Sequence, residues 1–157
     1  MITEQDRTFA KMAAQSNLAE VALAEIAEDK EDLPASVQGF AEAMKNDHGK
    51  AQQQLETLAT DLDIELPEEP SEEHQAKAAQ LEELSGDAFA AEYMRTMVDE
   101  HTKAVQLFEQ QVQKSQGAAA GQRSQLDQFA AAQLPILEQH LTQAKDIEAE
   151  LTPTASR

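Results

Sequence analysis

Apolar residues recur every three to four positions along nearly the whole chain, and no segment alternates apolar and polar residues with a period of two. The first spacing places side chains on one face of an α-helix, whereas a half-buried β-strand would need the second. Proline or glycine interrupts the pattern at Pro34, between Pro67 and Pro70, at Ser85-Gly86, and from Gly117 to Gly121. The pattern therefore predicts an all-α protein built from long amphipathic helices.

The breaks divide the chain into four long helices and one short helix. The long helices are predicted over about residues 4–31, 34–62, 87–115 and 120–151, and the short one over about 71–85. Residues 152–157 are predicted to form a frayed tail. A length of 157 residues fits one domain, assigned to residues 1–157. Because the first and last connections between long helices are short, we predict an up-down-up-down antiparallel four-helix bundle with a short helical insertion between the second and third long helices.

Charge and composition exclude several classes of function. Twelve Lys and Arg stand against 30 Asp and Glu, a net charge of −18, so the chain lacks the cationic face that nucleic acids or anionic membranes require. The absence of cysteine rules out disulfides, thiolate nucleophiles and iron–sulfur clusters. No run of about 20 apolar residues predicts a membrane span, and no phosphate loop, Rossmann fingerprint or nucleophile elbow points to an organic cofactor or a serine hydrolase.

Polar residues on the apolar faces of the predicted helices point to function, because these faces form the bundle interior, which is normally apolar. Glu20 lies on the apolar face of the first long helix, and His48, His101 and His140 lie on those of the second, third and fourth. Their distances from the helix ends place all four near one mid-bundle layer, where bundles build metal sites from facing helices. The sequence thus predicts Glu20, His48, His101 and His140 as metal ligands.

Three imidazoles and one carboxylate suit Zn, Cu(II) or Fe, and they suit Ca or Mg poorly. A ferritin-type di-iron site would need Glu-x-x-His motifs, but Lys45, Val98 and Leu137 stand three residues before the inward histidines. Met44 and Met97 lie one helical turn from two of those histidines; as thioether ligands they would favour copper, and as core residues they would only fill space.

Two other interpretations of the inward residues stay open. In one, the histidines and Glu20 form a buried polar network without metal, and stability falls as the imidazoles protonate below about pH 6. In the other, an open coordination position makes the site an oxidoreductase, with Tyr93 among its redox-sensitive neighbours. Asp47 and Glu100, each next to an inward histidine, point about 100° away from it, as partners of another helix's imidazole or as solvated charges. His74, in the acidic insertion, is predicted to be exposed.

Five spaced motifs resemble a known family, the bacterial domain-of-unknown-function family 4142. They are Phe9 with Ala14-Gln15-Ser16-Asn17-Leu18-Ala19-Glu20-Val21, Phe40-Ala41-Glu42-Ala43-Met44 before Asp47-His48, Tyr93-Met94 and Met97-Val98 before His101, Val105-Gln106-Leu107-Phe108-Glu109, and Leu134-Pro135 with Leu137 and His140-Leu141. The similarity extends from about Phe9 to Ala144.

This resemblance implies a ferritin-like bundle, usually exported to the bacterial periplasm or envelope, with Met1 standing where a signal peptide has been removed. The family's motif positions coincide with the four proposed ligands; Glu100 departs from the pattern, where an aspartate before the histidine would match better. The resemblance implies no reaction. We therefore expect a periplasmic or secreted metal-binding protein for metal buffering or envelope stress protection, more a binding protein than an enzyme, whose protein partners the sequence does not identify.

Overall fold

The computed structural model describes residues 1–116 and 124–151. These residues contain five helices and no strand: α1 (Glu4–Glu28), α2 (Ala35–Asp61), α3 (Glu72–Glu82), α4 (Gly86–Lys114) and α5 (Gln125–Leu151). The prediction of an all-α four-helix bundle with a helical insertion is confirmed. The predicted start of the last helix near residue 120 and the predicted tail at 152–157 lie outside the described residues. None of the described helices combines the length and the apolar character needed to cross a membrane.

The first helix begins and ends at residues with identifiable local chemistry. The Thr3 hydroxyl accepts a hydrogen bond from the Asp6 N–H while the Asp6 carboxylate accepts one from the Thr3 N–H, which is a capping box. The helix ends at Glu28, before the predicted residue 31, and Asp32 beyond it adopts a left-handed conformation with φ of 60° that no helix can include.

The four long helices form a ring in which each helix packs on two others. α1 packs on α2 and α4, and α5 packs on α4 and α2. Along the contact between α1 and α4, Asp6 meets Gln111 and Glu20 meets His101, so residue numbers rise on one helix as they fall on the other. α4 therefore runs antiparallel to α1 and in the same direction as α2. The order of directions is up-down-down-up, and the predicted up-down-up-down order was wrong.

The path of the connection between α2 and α4 explains this difference. At its start the Asp63 carbonyl accepts a hydrogen bond from Arg7, near the beginning of α1, and at its end the Glu82 carbonyl accepts one from Lys30, beyond the end of α1. Helix α3, packed against α1 and α4, carries the chain along the bundle between these points. The sequence indicates how long this connection is but not that it crosses the bundle lengthwise.

A polar layer divides the apolar core into two clusters. One contains, among others, Phe40, Met44, Phe89, Tyr93 and Met97. The other contains, among others, Phe9, Leu55, Phe108, Leu126 and Phe129. The layer between them holds the four inward polar residues predicted from the sequence, all of them buried: Glu20, His48, His101 and His140. The fold therefore isolates these side chains from water in the middle of the bundle.

Candidate metal centre

Three histidines from three different helices converge in the polar layer. His48 lies on α2, His101 on α4 and His140 on α5, with 3%, 0% and 4% of their surface exposed. Their ring centroids are 5.4–5.5 Å apart in every pairing. One ring nitrogen from each lies within 4.8 Å of one from each of the others. The helical stripes that place these residues inward also place them at one level.

Hydrogen bonds on the outer side fix the orientation of two of the rings. His101 Nδ1 donates to the carbonyl oxygen of Met97, at 2.8 Å, within α4. His140 Nε2 donates to the Asp47 carboxylate across the contact between α5 and α2, also at 2.8 Å. Because both partners can only accept, each of these ring nitrogens carries the hydrogen, and the opposite nitrogen of each ring is the one placed to bind a metal.

The third ring is held by a chain of amides. His48 Nδ1 lies 2.9 Å from Asn17 Oδ1, and the Asn17 amide nitrogen donates to Gln52 Oε1 at 3.4 Å. Gln52 in turn donates to Glu56 at 3.1 Å, which fixes which way each amide points. His48 therefore also donates from Nδ1 and keeps its lone pair on Nε2.

The inner nitrogens of the three rings are buried and lack hydrogen-bond partners among residues 1–116 and 124–151: Nε2 of His48, Nε2 of His101 and Nδ1 of His140. Burial lowers the pKa of His48 well below its usual value, and repulsion from the other two rings lowers it further. Burial also lowers the pKa of His101, to about 4, although its bond to the Met97 carbonyl opposes the change. Both rings are therefore neutral at pH 7, the form that ligates metals.

Glu20 lies beside the three histidines rather than among their inner nitrogens. One of its oxygens is 3.5 Å from His101 Nδ1, on the outer side of that ring, and the other has no partner within the described residues. Burial raises the pKa of Glu20 well above its usual value, and repulsion from Glu100 raises it further. The structure thus brings three of the four predicted ligands together and places the fourth where it contacts one of them.

The two acidic residues beside the inward histidines both contact imidazoles of other helices, but in different places. Asp47 on α2 holds His140 on α5, as described above. Glu100 on α4 binds His74 on α3 at 2.9 Å, and the other nitrogen of His74 lies 2.9 Å from the Ser71 hydroxyl. The prediction that His74 is exposed was wrong, since its side chain is only 17% exposed. Sequence position could not reveal this pair, because it depends on how α3 lies along α4.

An apolar wall closes the layer on the side of the first cluster. Met44 and Met97, one turn from His48 and His101, are both fully buried in that cluster. The Phe40 ring packs edge-on against His101, with centroids 6.2 Å apart. Tyr93, also fully buried, has a hydroxyl without a partner in the described part of the chain, and burial, then Glu20, raise its pKa well above the usual value.

The donor set fits a transition-metal ion. Three imidazole nitrogens bound to one ion at about 2.1 Å lie roughly 3.4–3.6 Å from one another. One ring nitrogen of each histidine lies within 4.8 Å of one from each of the others, so the rings need to approach by at most roughly 1.4 Å to share an ion. Each ring already has its outer nitrogen bound by an acceptor, the arrangement typical of metal-ligating histidines. Asn17 and Gln52, which complete this support, were missed by the sequence analysis; Asn17 lies one turn before Glu20 on α1, which is the signal that could have identified it.

Comparison with known proteins identifies a family and a fold. The family model described as "Domain of unknown function (DUF4142)" matches residues 1–147. A solved structure from Streptomyces coelicolor, described as a secreted protein, DUF305, is similar with a TM-score of 0.73 and 14% sequence identity, covering 94% of this chain and 93% of that chain. At that identity the likeness shows the fold alone. No curated protein matches the chain.

Proposed function

The chain belongs to the DUF4142 family, and we propose that it binds one transition-metal ion between α2, α4 and α5, with His48, His101 and His140 as ligands. The observation that carries this proposal is the set of three inner ring nitrogens, buried and without partners among residues 1–116 and 124–151. A buried polar atom left unpaired costs about 1–3 kcal/mol, so three of them at one point are costly unless something binds there.

The donor chemistry limits the choice of ion. Three imidazoles suit Zn, Cu(II) or Fe(II), and the absence of thiolate and the scarcity of carboxylate oxygen argue against ions that prefer sulfur or oxygen alone. A divalent ion in this layer brings positive charge into a buried place. The Asp47 carboxylate on His140 offsets part of it, and the ion would itself favour the ionised form of Glu20, whose pKa burial raises. We keep Glu20 as a proposed ligand that binds the ion when its side chain turns from the outer side of His101; in the orientation observed, Glu20 leaves the fourth position of the ion open.

The role that suits such a site is binding or buffering of metal in the envelope, with protection against metal or oxidative stress as its consequence. Support for export comes from the similar structure described as secreted. The histidines lie inside the bundle, so exchange of the ion requires the helices to part locally. That favours slow, retained binding over rapid delivery.

Metal content of purified protein tests the proposal. The chain has four histidines, so His74→Ala is a matched control that removes the one imidazole outside the cluster. After incubation with Zn, Cu or Fe and removal of excess, the wild type and His74→Ala should each hold about one equivalent by elemental mass spectrometry. His48→Ala, His101→Ala and His140→Ala should lose it while keeping their helical circular dichroism. Equal metal in all five proteins would overturn the proposal.

The alternative function is a structural or interaction module in which the same residues form a metal-free polar network. The outer half of such a network is present, in the bonds from His48 to Asn17 and from His140 to Asp47. Its inner half would have to be completed by water. This alternative predicts a melting temperature that is indifferent to chelator, whereas the metal site predicts one that falls when the ion is removed.

A further inference from the structure

A small cavity lined by residues of all four long helices lies against two of the three clustered histidines. His48 and His140 form part of its inner wall, and Asp47, Gln133 and Ile136 form part of its outer wall. Its volume is about 10 Å³, which is room for one water-sized species. Ile136 is 38% exposed and the Asp47 side chain 44%, so the outer wall reaches the protein surface.

The cavity and Glu20 lie on different sides of the cluster. His101 and Glu20 do not line the cavity, whereas the other two histidines do. Glu20 contacts the outer nitrogen of His101, away from the three inner nitrogens. Asn17 and Asp47 also line the cavity, but their oxygens are already bound to the outer nitrogens of His48 and His140, so neither is placed to fill a further position on an ion held by the three imidazoles. Zinc sites with three protein ligands and a free fourth position are the reactive kind, while closed four-ligand sites are structural.

Building on the metal site proposed above, we propose that the bound ion keeps one coordination position for a small external ligand that reaches it through this cavity. The ligand class is water or hydroxide, or the binding atom of a small linear anion whose remaining atoms extend from the cavity towards the surface. The small volume excludes organic substrates. Asp47 lines the cavity, and its carboxylate accepts the hydrogen bond from His140, so it fixes the orientation of that ring beside the cavity.

Azide titration of the Co(II)-loaded protein tests this inference. The visible absorption bands of Co(II) report its coordination, and azide is a three-atom probe that binds an open position. Wild-type protein should bind Co(II) at about one equivalent, and its bands should shift with azide to saturation. Ala51→Leu, which adds a side chain to the cavity wall, should weaken azide binding at least roughly tenfold without removing a ligand.

Two further variants keep the test decisive. Ile136→Phe narrows the outer wall at a partly exposed position, so it tests the passage if Ala51→Leu loses Co(II). Met12→Phe, at an exposed position on α1 that does not line this cavity, should behave as the wild type. Failure to bind Co(II) would refute the metal site itself. Bound Co(II) whose spectrum ignores azide would refute only the open position, and equal azide affinity in all variants would refute the route through the cavity.

Discussion

Replacing His101 with leucine should raise the stability of the metal-free protein and lower that of the metal-loaded protein. His101 is fully buried, and its Nε2 has no partner among residues 1–116 and 124–151. Removing that unpaired nitrogen should recover about 1–3 kcal/mol, while losing the bond from Nδ1 to the Met97 carbonyl should cost about 0.5–1.5 kcal/mol. Leucine has a similar size and adds apolar contact with the neighbouring core. The net expectation in chelator is a gain of about 1 kcal/mol, or about 2–4 °C in melting temperature.

Bound metal should make the wild type more stable than His101→Leu. At a free-ion concentration of about a thousand times the dissociation constant, the wild type gains about 4 kcal/mol, and the variant, with one ligand gone, gains little. The assay is thermal unfolding followed by circular dichroism, with chelator and with added Zn, on the wild type, His101→Leu and the control His74→Leu. The control should gain as much from Zn as the wild type. A His101→Leu protein that is less stable in chelator, together with a wild type that ignores Zn, would refute the reasoning and favour the polar network.

Three further predictions concern stability away from the metal layer. Burial raises the pKa of Asp6, but hydrogen bonds, first from Lys114 and then from the helix cap, outweigh it and lower that pKa from 3.8 to about 2. The ionised Asp6 therefore stabilises the fold above about pH 4, and this contribution is lost as the pH falls through 2. Asp6→Asn should lower the free energy of unfolding in urea by about 1–2 kcal/mol at pH 7 and by much less at pH 2. Phe108→Ala should cost about 3–5 kcal/mol in the same assay, because the ring is 3% exposed and contacts two other phenylalanines; a cost below 1 kcal/mol would contradict the assigned core. His74→Ala should lower the free energy of unfolding by about 1 kcal/mol, because it removes the hydrogen bond to Glu100, and it should speed amide hydrogen exchange in α3 while leaving the metal content unchanged. Unchanged exchange in α3 would show that this pair does not hold the insertion against the bundle.

The sequence predicts the helices and the inward histidines well because both depend on one periodicity. His48, His101 and His140 each lie on an apolar stripe, so burying the stripe buries the histidine. Their meeting at one level follows from helix lengths, which the breaks at prolines and glycines define closely enough. Asp47 was predicted either as a partner of another helix's imidazole or as a solvated charge, and the first alternative is confirmed because it binds His140.

Features that depend on the path of the connection could not be predicted. The direction of α4 depends on α3 running along α1 and α4, and periodicity contains no information about that route. The pair of His74 and Glu100 depends on the same route. The position of Glu20, outside the inner nitrogens, depends on its rotamer and on His101 turning Nδ1 towards its own helix, which helix stripes do not specify.

X-ray absorption spectroscopy of the Zn- or Cu(II)-loaded protein tests the central claim most directly, because it reports the atoms bound to the ion. The account predicts about three imidazole nitrogens at about 2.0–2.1 Å plus one oxygen ligand, in the wild type and in His74→Ala alike. His140→Ala should lose one imidazole contribution or the ion altogether. A spectrum of oxygen ligands alone, unchanged when any of the three clustered histidines is replaced, would place the ion on the acidic surface and contradict the account.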